Sequence, residues 1–226
     1  MLLRIPGVLT PAEVAECVSA LEAAEWSDGR MTAGYLSSEV KNNVQVPEGH
    51  PVARRLGKLI LDALDKNQLF ISAALPLKVL PPLFNRYSGG QAYGGHIDGA
   101  IRPVFGTAHR VRTDLSATLF LSAPEDYQGG ELVVQDQFGE HRIKLPAGDL
   151  ILYPGSSVHR VDPVTSGSRL ASFFWIQSMV REDSHRSVLF TIDNALQQLG
   201  RDVPGHSSLV EIAGAYHNLL RLWSET

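Results

Sequence analysis

His96 and Asp98 stand one residue apart in Gly94-Gly95-His96-Ile97-Asp98. On an extended strand alternate side chains share a face, so the imidazole and the carboxylate would converge while Ile97 points away. Such a pair offers two ligands to a metal and needs a third. Tyr153-Pro154-Gly155-Ser156-Ser157-Val158-His159 supplies it, with a strand ending at Tyr153, a Pro-Gly turn, and His159 opening the next strand. The chain between Asp98 and His159 is long enough for several antiparallel strands, so His159 can return beside the first pair. Two histidines and one carboxylate with open positions suit non-haem iron(II) and oxygen chemistry, and also suit zinc or manganese.

Arg169 follows in Val164-Thr165-Ser166-Gly167-Ser168-Arg169, where residues 164–168 read as a turn and Arg169 as the start of the neighbouring strand. An arginine deep in the same cavity needs a carboxylate partner, because an unpaired guanidinium away from water is costly. Its forked donors suit bidentate carboxylate binding. A dicarboxylate could therefore chelate the metal at one end and meet Arg169 at the other.

Taken together, His96-x-Asp98, His159 and Arg169 resemble the pattern of Fe(II)- and 2-oxoglutarate-dependent dioxygenases of the prolyl-4-hydroxylase type. Asn85-Arg86-Tyr87-Ser88-Gly89-Gly90 and Gly129-Gly130-Glu131-Leu132 are similar to that group as well. Lys41-Asn42-Asn43, the opening Leu3-Arg4-Ile5-Pro6-Gly7-Val8-Leu9 and the helical C-terminus resemble, more narrowly, the bacterial PKHD-type hydroxylases. The resemblance covers essentially the whole chain, with no departure at the metal or arginine positions. It implies a double-stranded β-helix, Fe(II), and 2-oxoglutarate and O2 as co-substrates, with L-ascorbate as an accessory. It implies hydroxylation of a small-molecule or peptidyl substrate coupled to release of succinate and CO2, and a loose association with bacterial iron acquisition. It also implies that Tyr87 faces the co-substrate; the plainer alternative is a core tyrosine whose hydroxyl finds a backbone partner. Two rivals stand beside this reading. One is a cupin-like zinc or manganese enzyme, disfavoured by Arg169. The other is a non-catalytic iron or small-molecule sensor.

The elements that must position these residues follow from the pattern of the chain. Thr10-Pro11-Ala12-Glu13 reads as a capped helix start, with Val14, Cys17, Val18, Leu21 and Ala24 at helical spacing and Ser27-Asp28-Gly29 as its end. A second helix is predicted near residues 51–66. From Phe70 to Gln177 short β-rich runs alternate with Gly, Pro and Asp, which implies an antiparallel sandwich or barrel. Helical periodicity returns after residue 182. One stripe holds Val188, Ile192, Leu196 and Leu199, with Gly200 as its cap. Leu209, Ile212, Ala213, Tyr216, Leu219, Leu220 and Trp223 form another. These predict an α-hairpin packed on its own domain, with a homo-oligomer interface as the second reading. The fold class expected is thus mainly β with flanking helices, a jelly-roll core plus a C-terminal α-hairpin. The oxygenase domain spans 1–180 (helices to about 68, core about 69–180), and a helical subdomain spans 181–226.

Composition sets the remaining bounds. At 226 residues, 44% of them hydrophobic, the chain can build a sizeable core. A net charge of −4 and no basic patch argue against nucleic acid as the main partner. Cys17 is the only cysteine, so it can form no internal disulfide and reads as core filler. No signal peptide or spanning helix is apparent, which points to the cytoplasm. The six other histidines, His50, His109, His141, His185, His206 and His217, read as surface or capping residues. Glu131 and Asp149, beside glycines, read as turn residues. The segment 101–113, with Arg102, Arg110 and Arg112, reads as a solvated loop; a lid that attracts an acidic substrate is the alternative.

Overall fold

Alternation along the strands sorts the residues into two layers. In Leu115–Phe120 all six residues are buried, yet they serve two different faces. Leu115, Ala117 and Leu119 pack with the helices, while Phe120 packs on the opposite face. Leu150 and Leu152 likewise join the helix side, and Ile151 and Tyr153 the other. A strand buried on both faces needs a layer on each, and both are present.

The computed structural model describes residues 1–32 and 34–226, without the side chains of residues 35 and 36. It contains a nine-stranded sheet, a five-stranded sheet and a two-stranded hairpin. The long strand Val164–Ser178 is the spine of the large sheet. It pairs antiparallel with Leu115–Phe120 on one side and Leu83–Ser88 on the other. The small sheet runs in the order Gly139–Ile143, Leu132–Asp136, His159–Val161, Ala92–His96 and Lys41–Asn42. Tyr87, Phe120, Ile151 and Tyr153 from the large sheet meet Leu132, Val134 and Val161 from the small one in a shared apolar layer. The two sheets therefore face each other across the space that holds the candidate residues.

Helices Pro11–Glu22, Pro51–Leu64 and Gln68–Ala74 cover the outer face of the large sheet through Cys17, Leu21, Leu56, Ile60, Phe70 and Ala73. The first has the expected capping box between Thr10 and Glu13. Thr10→Ala is expected to cost about 1 kcal/mol of stability, read by urea unfolding. Cys17 is fully buried, and burial pushes its thiol up to about 11, as suits core filler.

Several expectations need correction. The first helix ends at Glu22, and Ser27–Asp28 forms a short strand paired with Val44–Gln45. Residues Gln68–Ala74, expected to open the β region, form a helix capped by Asn67 and closed by Leu75 in the left-handed conformation. Residues 164–168 are strand, not turn, because Tyr127–Gly129 pairs with them. Gly167 permits this: a Cβ there would lie 2.0 Å from the Asp126 carbonyl oxygen. Segment 101–113 is a paired hairpin, Ile101–Pro103 with Arg110–Arg112, not a loop.

The helices Asp183–Asp202 and Ser208–Trp223 pack together and against Leu75 and Val180 through Leu189, Tyr216, Leu219, Leu220 and Trp223. Gly200 lies inside the first of them and does not cap it, and Val188 is exposed rather than part of the packed stripe. His185 stacks on Trp223 at 4.2 Å. No helix among the described residues is long and apolar enough to cross a membrane.

Candidate metal centre

The small sheet carries the histidines. His159 and His96 are direct cross-strand partners, so their rings meet at 4.2 Å between centroids. A register shift in this pairing matches Val161 to Tyr93, and the Tyr93 ring stacks on His96 at 3.6 Å. Asp98 lies just past the end of its strand, which closes at His96. The strand alternation expected to aim Asp98 therefore does not extend to it, although Ile97 does point outward, 52% exposed. What holds Asp98 is Ser116 on the large sheet, whose hydroxyl donates to Oδ2 at 2.6 Å. The Pro154-Gly155 turn brings His159 within reach. Gly155 packs so closely that a Cβ would lie 2.3 Å from the Thr113 carbonyl oxygen.

His96, Asp98 and His159 thus offer three ligand atoms within 4.8 Å of one another. His96 Nδ1 sits 2.8 Å from the Gly94 carbonyl and His159 Nδ1 sits 3.1 Å from that of Ser157. Both carbonyls fix Nδ1 as the protonated nitrogen and leave Nε2 with a free lone pair. Burial and the neighbouring His159 imidazole push His96 down to about 4, so it is neutral at pH 7. His159 Nε2 and Asp98 Oδ2 are 3.6 Å apart. Two imidazoles whose Nε2 atoms face a carboxylate are a donor set for a divalent transition metal. Ser116→Ala, which frees the carboxylate to rotate, is expected to weaken Fe(II) binding by about 10- to 100-fold, read by anaerobic titration.

Arg169 is 1% exposed, and among the described residues none of its three guanidinium nitrogens has a hydrogen-bond partner. It pairs across the sheet with Tyr87, itself 1% exposed, and its guanidinium carbon lies 5.5 Å from that ring and 5.2 Å from Phe120. The Tyr127 hydroxyl lies close enough to Arg169 to interact with it but makes no hydrogen bond of normal geometry among the described residues. A buried cation with no acceptor for any of its N–H groups fits a carboxylate ligand. Burial pushes the Tyr87 phenol up to about 12, so it stays protonated and cannot itself neutralise Arg169. The open cavity beside the three ligand residues is walled by Thr118, Tyr153, Phe173 and Trp175, while Arg169 and Tyr87 are not part of its wall.

The other histidines stay out of the cluster. His50 and His206 accept hydrogen bonds from Val52 and Ser208 backbone N–H groups at helix starts. His141 pairs with Asp136, and His109 is exposed in the hairpin. Asp149 holds Arg4 and the Gly7 N–H. Ser116, Lys41, Arg102 and Trp175 line the cavity and went unnoticed as site residues, apart from Arg102 in its loop.

Comparison with known proteins agrees with this geometry. The family model of the 2OG-Fe(II) oxygenase superfamily matches residues 82–177, and that of the PKHD-type hydroxylase C-terminal domain matches residues 183–225. The PKHD-type hydroxylase PiuC of Pseudomonas aeruginosa is 60% identical over the full length of both chains. A PKHD-type hydroxylase of Bordetella pertussis is 59% identical over the same span. Among solved structures, a Pseudomonas putida prolyl-4-hydroxylase is similar in fold, with a TM-score of 0.54 at 23% identity over 78% of this chain and 92% of that one.

Proposed function

Since the chain belongs to the bacterial PKHD-type hydroxylases, enzymes of the 2OG-Fe(II) oxygenase superfamily, we propose that His96, Asp98 and His159 hold its iron and that Arg169 anchors 2-oxoglutarate. The reaction class is oxidative decarboxylation of 2-oxoglutarate to succinate and CO2, coupled to hydroxylation of a second substrate, a small molecule or a peptide. The observation that carries the assignment is the convergence of two imidazoles and a carboxylate with ligand atoms within 4.8 Å of one another.

Each side chain has a definable task. His96 and His159 present Nε2 because their Nδ1 protons are committed to backbone carbonyls. Asp98 supplies the single negative charge and is kept in place by Ser116. Arg169 neutralises the far carboxylate of 2-oxoglutarate, and the Tyr87 and Phe120 rings exclude water around that pair. Tyr87 serves by packing under the guanidinium, which supports its assignment to the co-substrate end of the site. Bound iron supplies the activation of dioxygen that protein side chains cannot perform. L-Ascorbate enters only as a reductant that would restore oxidised iron.

The opposed sheets are read here as the two halves of a double-stranded β-helix, supported by the fold likeness to solved oxygenases. Residues 1–180 are assigned to the oxygenase domain and 181–226 to a helical subdomain, a division supported by the separate family matches on either side of residue 180. A zinc or manganese isomerase would have no use for a buried, unpartnered Arg169, and a sensor would show no turnover. Reconstitution with Fe(II) under argon, addition of 2-oxoglutarate and air, and assay of succinate tests the function. Succinate formation that depends on Fe(II) rather than Zn(II) is the expected result.

A further inference from the structure

Two cations face the cavity with no acid paired to them. Lys41 is 5% exposed. Its ammonium donates to Thr32 Oγ1 at 2.9 Å and lies 5.1 Å from the Tyr93 ring centre and 5.9 Å from that of Phe173. Arg102, on the hairpin, has its guanidinium carbon over the Trp175 ring, 3.9 Å from the ring centre, and reaches the Thr32 carbonyl at 3.5 Å. Thr32 therefore ties the two cations to one spot. Both line the cavity that holds His96, Asp98 and His159.

Among the described residues neither cation is in ion-pair contact with a carboxylate, whereas Arg112, Arg142, Arg160 and Arg186 all are. Asp98 and Glu48 act on both only through space, and Asp28 on Lys41. Burial and repulsion from Arg102 push Lys41 down to about 8, so the pair strains against itself. With Asp98 taken up by iron, Lys41 and Arg102 keep only Glu48 and Asp28, neither in ion-pair contact with them. Buried like charges of this kind are stabilised by an anion that bridges them.

A groove continues outward from the same point. Arg102 and Trp175 belong to its wall as well, together with Pro81, Pro82 and Phe105, and with Glu48 and Arg54 as one further charge of each sign. Phe105 is 60% exposed although it is a large apolar side chain. This wall suits an apolar body.

We propose that the hydroxylated substrate is an organic anion, with its acidic group seated between Lys41 and Arg102 and its apolar body lying along Trp175, Pro82 and Phe105. The inference rests on the proposed function, because it takes Asp98 as an iron ligand and Arg169 as the site of 2-oxoglutarate. Arg169 is thereby reserved for the co-substrate, and the second acid-binding site belongs to the substrate.

The test uses the full chain, loaded with Fe(II) and saturating 2-oxoglutarate under argon. Phenylacetate, 3-phenylpropionate and hexanoate, each beside its primary amide, are titrated by calorimetry. At least one acid is expected to bind about tenfold more tightly than its amide, as one charge-assisted contact provides. R102Q and K41M, on different elements, should each reduce that preference to about threefold or less. Equal binding of acid and amide, no binding by any acid, or a preference that survives both substitutions would overturn the proposal. Failure of the underlying function is read separately and earlier, as no binding of 2-oxoglutarate to the Fe(II)-loaded wild-type chain.

Discussion

Replacing Asp98 with alanine is expected to abolish Fe(II)-dependent succinate formation and to weaken Fe(II) binding by more than about 100-fold, beyond what loss of an outer hydrogen-bond partner causes. The reasoning is electrostatic. His96 is held neutral by burial, and Asp98 is the one carboxylate in the cluster. Without it, a divalent ion would have to give up water for two imidazoles alone. The apo fold should survive, since Asp98 lies past the end of its strand and its near partners are only the Ser116 hydroxyl and His159 Nε2 at 3.6 Å. Thermal unfolding separates these effects. Fe(II) at about 100 times its dissociation constant should stabilise the wild-type chain by about 2.7 kcal/mol and leave D98A unmoved. Wild-type turnover by D98A would defeat the assignment.

Arg169→Met is expected to act in opposite directions on binding and on stability. Two charge-assisted hydrogen bonds are worth about 1.5–3 kcal/mol each, so 2-oxoglutarate should bind at least about 100-fold more weakly. In the absence of 2-oxoglutarate the same change should stabilise the chain by about 1–4 kcal/mol, as replacing buried charge with a well-packed apolar side chain often does. The sign follows from three orphaned nitrogens on a residue only 1% exposed. Unfolding curves with and without 2-oxoglutarate should therefore cross. Wild type rises on addition, while R169M starts higher and does not respond. Equal protection of both by 2-oxoglutarate would show that the carboxylate lies elsewhere.

The clustering of His96, Asp98 and His159 and the burial of Arg169 were legible in the sequence because these residue types are rare together and their flanking turns are explicit. His159 sits where a Pro-Gly turn says it should, one strand after Tyr153. The manner in which Asp98 is aimed could not be read. Its strand ends two residues early, and Ser116, which holds it, looks in sequence like any other small strand residue. Helix Gln68–Ala74 is hard to read because a short apolar run has no decisive period, although Asn67 before it and Pro76 after it are start and stop signals. Residues 164–168 have turn composition, and only the approach of residues 126–129 makes them strand. Arg102 was visible as a charge, but its position over Trp175 depends on a hairpin folding back onto the long strand.

The most direct test of the iron and 2-oxoglutarate assignment is anomalous diffraction at the iron edge, from crystals grown without oxygen in Fe(II) and 2-oxoglutarate. One iron peak enclosed by His96, Asp98 and His159 is expected, with the far carboxylate of 2-oxoglutarate on Arg169. An iron peak away from those three side chains, or an Arg169 still without a carboxylate when 2-oxoglutarate is bound, would contradict it.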